Sequence, residues 1–207
     1  VNKLSDAFPI IYLITKGEAT GENFPEKAGE ILRLIKAAVE SEISLIQIRE
    51  KNLPARLIFE LTEKAAAVTR RSRTKLLVND RADIAQLAGA DGVHLTSLSL
   101  SAAAIRQSFP KNFIVGVSAH SLEKAAEAKQ QGADFATFSP IFATPNKGAP
   151  KGSDALREAC EKLKPFPVIA LGGIDETNYK AVLKTGARGF AAIRFLNEAE
   201  NLKTLIP

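Results

Sequence analysis

Gln47, Arg49 and Lys51 alternate along five residues, so in an extended segment they share one face and bring two positive charges together. Lys147 adds a third cation in the stretch Ser139-Pro-Ile-Phe-Ala-Thr-Pro-Asn-Lys147, which also carries Thr144 and Asn146. Arginine forks hydrogen bonds onto phosphate oxygens and lysine acts as a compact point charge, so such groups on one rim suit a highly anionic ligand. Asn79-Asp80 offers oxygen ligands for Mg²⁺, which usually bridges a carboxylate to substrate phosphates while keeping several waters. Gly172-Gly173 allows a backbone close enough to donate N–H groups to a phosphate. His94, Thr96, Ser118, His120 and Arg194 complete the polar set.

Each piece alone has a plainer reading. Arg49-Glu50-Lys51 makes a solvated turn about as readily as a site. Asn79-Asp80 can cap a helix beginning near Ala82, and Gly172-Gly173 can be a turn. His94 falls inside an apolar run and reads as a satisfied interior side chain. His120 follows such a run and precedes Ser121, a good N-cap. Cys160, among Leu156, Ala159 and Leu163, reads as core, and a lone cysteine forms no internal disulfide, which fits a reducing cytoplasm.

What unites the set is position. Apolar β-rich runs at Ile10–Thr15, Leu45–Arg49, Lys75–Asn79, Gly92–Thr96, Phe113–Ser118, Phe135–Ile141, Pro167–Gly172 and Gly189–Phe195 read as parallel strands covered on both faces. Amphipathic stretches lie between them at Pro25–Glu40, Pro54–Arg71, Leu122–Gln131, Asp154–Leu163 and Glu176–Thr185. A weak repeat, Gly89-Ala-Asp-Gly-Val, Gly132-Ala-Asp-Phe-Ala and Gly186-Ala-Arg-Gly-Phe, closes a helix and opens a strand each time. The 207 residues divide into βα units of about 26, the scale of a compact barrel. One (β/α)₈ TIM barrel over 1–207 is the expected architecture, with an open doubly wound sheet as the alternative. The polar residues then gather just beyond the C-terminal ends of the strands, where such barrels keep their reactive groups.

Composition narrows the partners. Apolar residues make up 45% and charged residues 25%, an ordinary globular balance. No apolar run approaches the ~20 residues of a membrane span, and no membrane partner is expected. The formal charge of +5 raises nucleic acid as a ligand, but the basic cluster Arg70, Arg71, Arg73 and Lys75 contains no aromatic residue and suits a helix end. Small phosphorylated substrates account for the charge better, and nucleic acid is not expected. A homo-oligomer stays open.

The segments Gln47-Ile-Arg-Glu-Lys51, Val78-Asn-Asp-Arg-Ala-Asp-Ile84, Gly89-Ala-Asp-Gly-Val-His-Leu95, Gly116-Val-Ser-Ala-His-Ser121, Ser139 to Lys147 and Leu171-Gly-Gly-Ile174 resemble, in order, those of the thiamine phosphate synthase family and its thiazole tautomerase branch. The resemblance runs from Tyr12 to about Leu196. It implies a (β/α)₈ barrel that joins 4-amino-2-methyl-5-hydroxymethylpyrimidine diphosphate to thiazole phosphate with release of pyrophosphate. It further implies that Gln47, Arg49, Lys51, Asn79 and Lys147 contact the pyrimidine diphosphate and that Asp80 is a Mg²⁺ ligand. Ser118, Thr144 and Asn146 would line the same cleft, and Gly173 would hold the thiazole phosphate.

Four positions depart from the synthase pattern: Ser99 stands for a second metal-binding Asp, Arg194 for a small Ser near the thiazole phosphate, Ser139 for Gly, and Lys16 for Asp. A hydroxyl is a much weaker Mg²⁺ ligand than a carboxylate, so a weakened site is expected. Arg194 either pairs with the phosphate or fills its pocket. Two further readings stay open. One is a tautomerase-type isomerase using His120 as acid/base; the other is a non-catalytic paralogue that binds phosphorylated ligands.

Overall fold

A computed structural model describes Leu4, residues 9–145 and residues 147–205. The chain alternates β1 (Ile10–Ile14), α1 (Phe24–Glu40), β2 (Leu45–Ile48), α2 (Ala55–Thr69), β3 (Lys75–Asn79), α3 (Ala82–Leu87), β4 (Gly92–Leu95) and α4 (Ala102–Ser108). It continues through β5 (Ile114–Ala119), α5 (Leu122–Gln130), β6 (Phe135–Phe138), α6 (Gly152–Leu163), β7 (Val168–Leu171), α7 (Tyr179–Leu183), β8 (Gly189–Ala192), a 3₁₀ turn at Phe195–Asn197 and α8 (Ala199–Lys203). All eight strands are parallel and close in sequence order, with Ile10 to Leu13 of β1 paired to Gly189 to Ala192 of β8. The expected (β/α)₈ barrel is the observed fold, and the open sheet is excluded by that last pairing.

Every residue of β2, β4, β6 and β8 is buried, as parallel strands between a filled interior and a helical layer require. Most strands end one to three residues before the apolar runs do, because the residues at the mouth leave the ladder to form the loops. The run Glu176–Thr185 yields only Tyr179–Leu183, since the Asp175 carboxylate accepts from the Thr177 N–H at 2.9 Å and holds the first turn in a local loop. Helices α3, α4 and α8 are too short to announce themselves by periodicity.

The two Gly-Ala-Asp repeats do similar work at the N-terminal rim. Gly89 and Gly132 end their helices at φ +77° and +82°, a region that favours glycine. Asp91 then accepts from the Leu76 N–H at 2.9 Å and Asp134 from the Val115 N–H at 2.7 Å, so each carboxylate stitches its strand to the preceding one.

Side chains fill the interior in layers. Leu45, Leu77, Ile114, Ile169 and Ala191 pack with Tyr12 and Phe135, whose rings meet edge-on at 5.7 Å. Gly116 makes room for them: a Cβ there would lie 2.3 Å from the Phe135 ring and 2.8 Å from His94 Nδ1. Above this apolar layer the interior turns polar, and there the candidate site begins. Among the described residues no helix is long and apolar enough to cross a membrane.

Candidate active site at the barrel mouth

Gln47, Arg49, Asn79, His94, Thr96, Ser118 and Ser139 lie on or just after adjacent strands β2 to β6, and their spacing sends them to one end of the barrel. Gln47 is buried and its Nε2 donates to Tyr12 Oη at 2.6 Å. Arg49 is held by its backbone, whose N–H donates to Thr15 Oγ1 at 2.8 Å. Gly17 lies against it, with Arg49 Nη1 only 3.4 Å from where a Cβ would stand.

Sequence reasoning missed Glu50, which is buried between Arg49 and Lys51. Its carboxylate does not neutralise either neighbour. It accepts from the backbone N–H groups of Gly17 at 3.1 Å and Ala19 at 2.9 Å, tying the β1–α1 loop to the end of β2. Among the described residues Arg49 and Lys51 therefore make no ion pair. The only sequence signal for Glu50 was an acidic residue between two cations, which a solvated turn shows equally well.

Asp80 is not a helix cap. The cap position of α3 is Arg81 and makes no side-chain cap, while Asp80 sits at φ +59° with its carboxylate turned across to the loop after β4. Its Oδ1 accepts from the Thr96 N–H at 3.1 Å, from Thr96 Oγ1 at 3.0 Å and from Ser99 Oγ; Oδ2 accepts from Asn79 Nδ2 at 2.8 Å. All these donors are neutral. Lys51, Asn79, Asp80 and Arg81 line a hollow of about 310 Å³ with Glu50 and the apolar ends of β2 and β3. Arg81, expected with Asn79 and Asp80 just after β3, is tied to Asp83, with Nε 2.9 Å from Oδ1.

Ser118 and His120 take different environments. Ser118 is half-buried, with Oγ 3.0 Å from His94 Nε2. His120 is exposed, and its Nδ1 lies 3.0 Å from the Ser139 carbonyl, which fixes the hydrogen on Nδ1 and leaves Nε2 as the free ring nitrogen. His94 is buried, and that burial pushes its pKa down to about 4, with the Asp80 charge opposing and the Arg49 charge adding to the shift. Both charges thus act on His94 from the same mouth.

The far half of the rim is built differently. The segment after β6 runs beside β7, with Ile141 N bonded to the Leu171 carbonyl and Phe142 N to the Gly172 carbonyl, each at 3.0 Å. Gly172 and Gly173 are needed for that approach: at φ +105° and +66°, a Cβ on either would come within 2.8 Å of Pro140, or of Phe142 and Ala143. Thr144 is half-buried and spends its hydroxyl on the Phe142 carbonyl at 3.1 Å, while Lys147 is exposed. Asn146 lies outside the described residues. Arg194, at the start of the 3₁₀ turn, is exposed and so does not fill the interior beside β8. Lys16, after β1, pairs with Glu198 at 3.1 Å. The described structure thus draws Gln47, Arg49, Lys51, Asn79, Asp80, Ser99 and Ser118 around one half of the mouth. Thr144, Lys147, Gly173 and Arg194 stand on the other.

Among the described residues no three His, Cys, Asp or Glu side chains converge as a metal cage. The donor set around Asp80 is one carboxylate without a cationic partner beside neutral hydroxyls. That chemistry fits Mg²⁺ only if a ligand's phosphates supply most of its oxygens.

The fold is a closed (β/α)₈ barrel, and its C-terminal mouth carries Arg49 and Lys51 without ion pairs among the described residues and Asp80 bonded to neutral donors. The family model described as thiamine monophosphate synthase matches residues 11–196, and the chain belongs to that family. A protein of Aquifex aeolicus, provisionally named thiamine-phosphate synthase 2, is 41% identical over 192 residues, 92% of this chain and 98% of the relative. The thiamine-phosphate synthase of Caldicellulosiruptor bescii is 34% identical, covering 90% of this chain and 86% of its own. The solved structure of thiamine phosphate pyrophosphorylase from Pyrococcus furiosus superposes with a TM-score of 0.80 at 31% identity, across 99% of this chain and 96% of the other.

Proposed function

We propose that this chain is a transferase of thiamine biosynthesis that joins 4-amino-2-methyl-5-hydroxymethylpyrimidine diphosphate to thiazole phosphate and releases pyrophosphate. The observation that carries this reading is the diversion of Glu50 to the Gly17 and Ala19 backbone, which leaves Arg49 and Lys51 free to meet an anion. In the reaction the bond between the pyrimidine methylene carbon and its diphosphate breaks, and the diphosphate leaves with the electron pair. The thiazole nitrogen then forms the new bond to that carbon, so no general base is needed. The demanding task is to stabilise the charge building on the leaving group. Arg49 and Lys51, with Lys147 from the facing loop, supply it, and well-placed charges of this kind are worth about 3–4 kcal/mol each.

Gln47, Asn79 and Ser118 orient the pyrimidine diphosphate, together with Thr144 and Asn146, and Gly173 and Arg194 hold the thiazole phosphate. Asp80, assisted by the Thr96 and Ser99 hydroxyls, would hold Mg²⁺, which when bound neutralises diphosphate oxygens. Holding the thiazole in line with the methylene carbon is the remaining, positional contribution. The test is direct: purified protein is mixed with both substrates, with and without Mg²⁺, and thiamine phosphate and pyrophosphate are measured. Folded protein that makes neither product overturns the reading, and substrate binding without turnover would instead favour a ligand-binding paralogue.

A second reading rests on His120. Its Nδ1 contact with the Ser139 carbonyl leaves an exposed Nε2 able to move a proton, as a thiazole tautomerase requires. Isomerisation of a thiazole carboxylate phosphate, abolished by His120→Ala, is its specific expectation; thiamine phosphate formation that survives His120→Ala separates the two.

A further inference from the structure

A buried polar chain crosses the interior beneath the mouth. Gln47 Nε2 donates to Tyr12 Oη at 2.6 Å, Tyr12 Oη lies 3.2 Å from His94 Nδ1, and His94 Nε2 lies 3.0 Å from Ser118 Oγ. Gln47, Tyr12 and His94 are almost wholly shielded from water, at 1%, 0% and 3% exposure, so each proton in the chain must be placed. Resting on the synthase reading above, we propose that His94 is a positioning residue that acts through Ser118, holding the serine oxygen so that its O–H points to the bound pyrimidine diphosphate.

The direction follows from proton counting. Tyr12 Oη accepts from the Gln47 amide, so its own proton goes to the other neighbour, His94 Nδ1. Nδ1 is then an acceptor. An accepting Nδ1 carries no hydrogen, so the ring hydrogen is on Nε2, where it is donated to Ser118 Oγ. With its oxygen already accepting, the half-buried Ser118 turns its hydrogen elsewhere. Thr137, its partner across the β5–β6 ladder, does not take it: Thr137 Oγ1 is buried and has no hydrogen-bond partner. Gly116 belongs to the same device, since any Cβ there would strike His94 Nδ1 and the Phe135 ring. Rings of Tyr12 and Phe135 flank the imidazole at 5.7 and 5.8 Å and lock its plane.

Two measurements decide the matter. In ¹⁵N-histidine-labelled protein, NMR should find His94 as the Nε2–H tautomer; an Nδ1–H tautomer overturns the proposal without reference to turnover. In steady-state assays, His94→Asn keeps a group near Nδ1 but none near Nε2, and kcat should fall about 10–100-fold with KM nearly unchanged. His94→Gln restores a donor near Nε2 and should recover to within about fivefold of wild type. Ser118→Ala should fall as far as His94→Asn, and the double variant no further than about twofold below Ser118→Ala alone. Additive losses overturn the proposal, because a merely structural histidine would not depend on the serine hydroxyl. Wild-type protein without turnover overturns the synthase reading and with it His94's part in that reaction, while the tautomer is still decided by NMR.

Discussion

The barrel has two rims, and the carboxylates closest to the strand ends, Asp91 and Asp134 at one and Glu50 and Asp80 at the other, are used in opposite ways. At the N-terminal rim, Asp91 and Asp134 each accept from a backbone N–H of the neighbouring strand and each also pair with a cation, Lys75 at 3.0 Å and Arg106 respectively. At the C-terminal rim, among the described residues, Glu50 and Asp80 bond only backbone and neutral side-chain donors. Farther out on that rim Arg81 pairs with Asp83 and Lys16 with Glu198. Next to the strand ends, the carboxylates at the N-terminal ends of β4 and β6 cancel a cation, whereas those just after β2 and β3 do not. That is the usual division of labour in this fold, where the N-terminal face serves stability and the C-terminal face chemistry.

The sharpest way to break that contrast is Arg49→Ala. It should lower kcat/KM about 10²–10³-fold, the loss of one well-placed transition-state charge, and leave the melting temperature within about 2 °C of wild type. A large drop in stability with normal kinetics in the folded fraction would make Arg49 a structural residue and dissolve the difference between the rims.

Asp134→Ala is the mirror test. It takes the carboxylate from the half-buried Arg106, which keeps its bonds to the Gly132 and Phe113 carbonyls, and leaves a strand N–H without its acceptor. Denaturant unfolding should therefore show a loss of about 2–4 kcal/mol, with kcat per folded molecule unchanged. Asp91→Ala, whose lysine partner is more exposed, should cost less, about 1 kcal/mol. A kinetic defect in either variant would place function on the wrong rim.

His94 lies between the rims and links stability to pH. Unfolded, its imidazole takes a proton below the ordinary pKa of 6.5; folded, it resists until about 4. Between those values the unfolded chain binds more protons, so stability is full above pH 6.5 and falls toward pH 4, by up to roughly 1.4 kcal/mol per unit. His94→Gln should flatten that slope in urea titrations, and a slope that survives the substitution would assign it to other groups.

The smallest effect is expected at Ser99→Asp. A second carboxylate beside Asp80 should lower the half-saturating Mg²⁺ concentration several-fold, by about 1 kcal/mol. An unchanged Mg²⁺ dependence would mean that Ser99 is not the position that limits the metal.

Much of this was readable from residue types and spacing. Apolar runs separated by helical stretches defined eight βα units, and Cys160 and His94 were expected inside, where they lie at 5% and 3% exposure. The strand-end rule then nominated Arg49, Lys51, Asp80 and Ser118. What escaped was direction. Glu50 had the pattern of a solvated turn yet is buried against the β1–α1 loop. Asp80 had the pattern of a cap yet reaches across to Thr96 and Ser99, a contact 16 to 19 residues away along the chain. Gly172 and Gly173 were expected to serve a phosphate, and their close approach to Pro140, Phe142 and Ala143 adds a packing role that spacing does not reveal.

By itself, then, the amino-acid sequence determined the barrel, the family and the end of the barrel where the cations gather. These depend on periodicity and on local order, which a linear text records. Only the tertiary structure decided which carboxylates neutralise a cation and which leave one free, and which way the buried chain from Gln47 to Ser118 carries its protons. Those outcomes turn on distances between residues remote in sequence, set when eight strands close and each buried donor must find an acceptor.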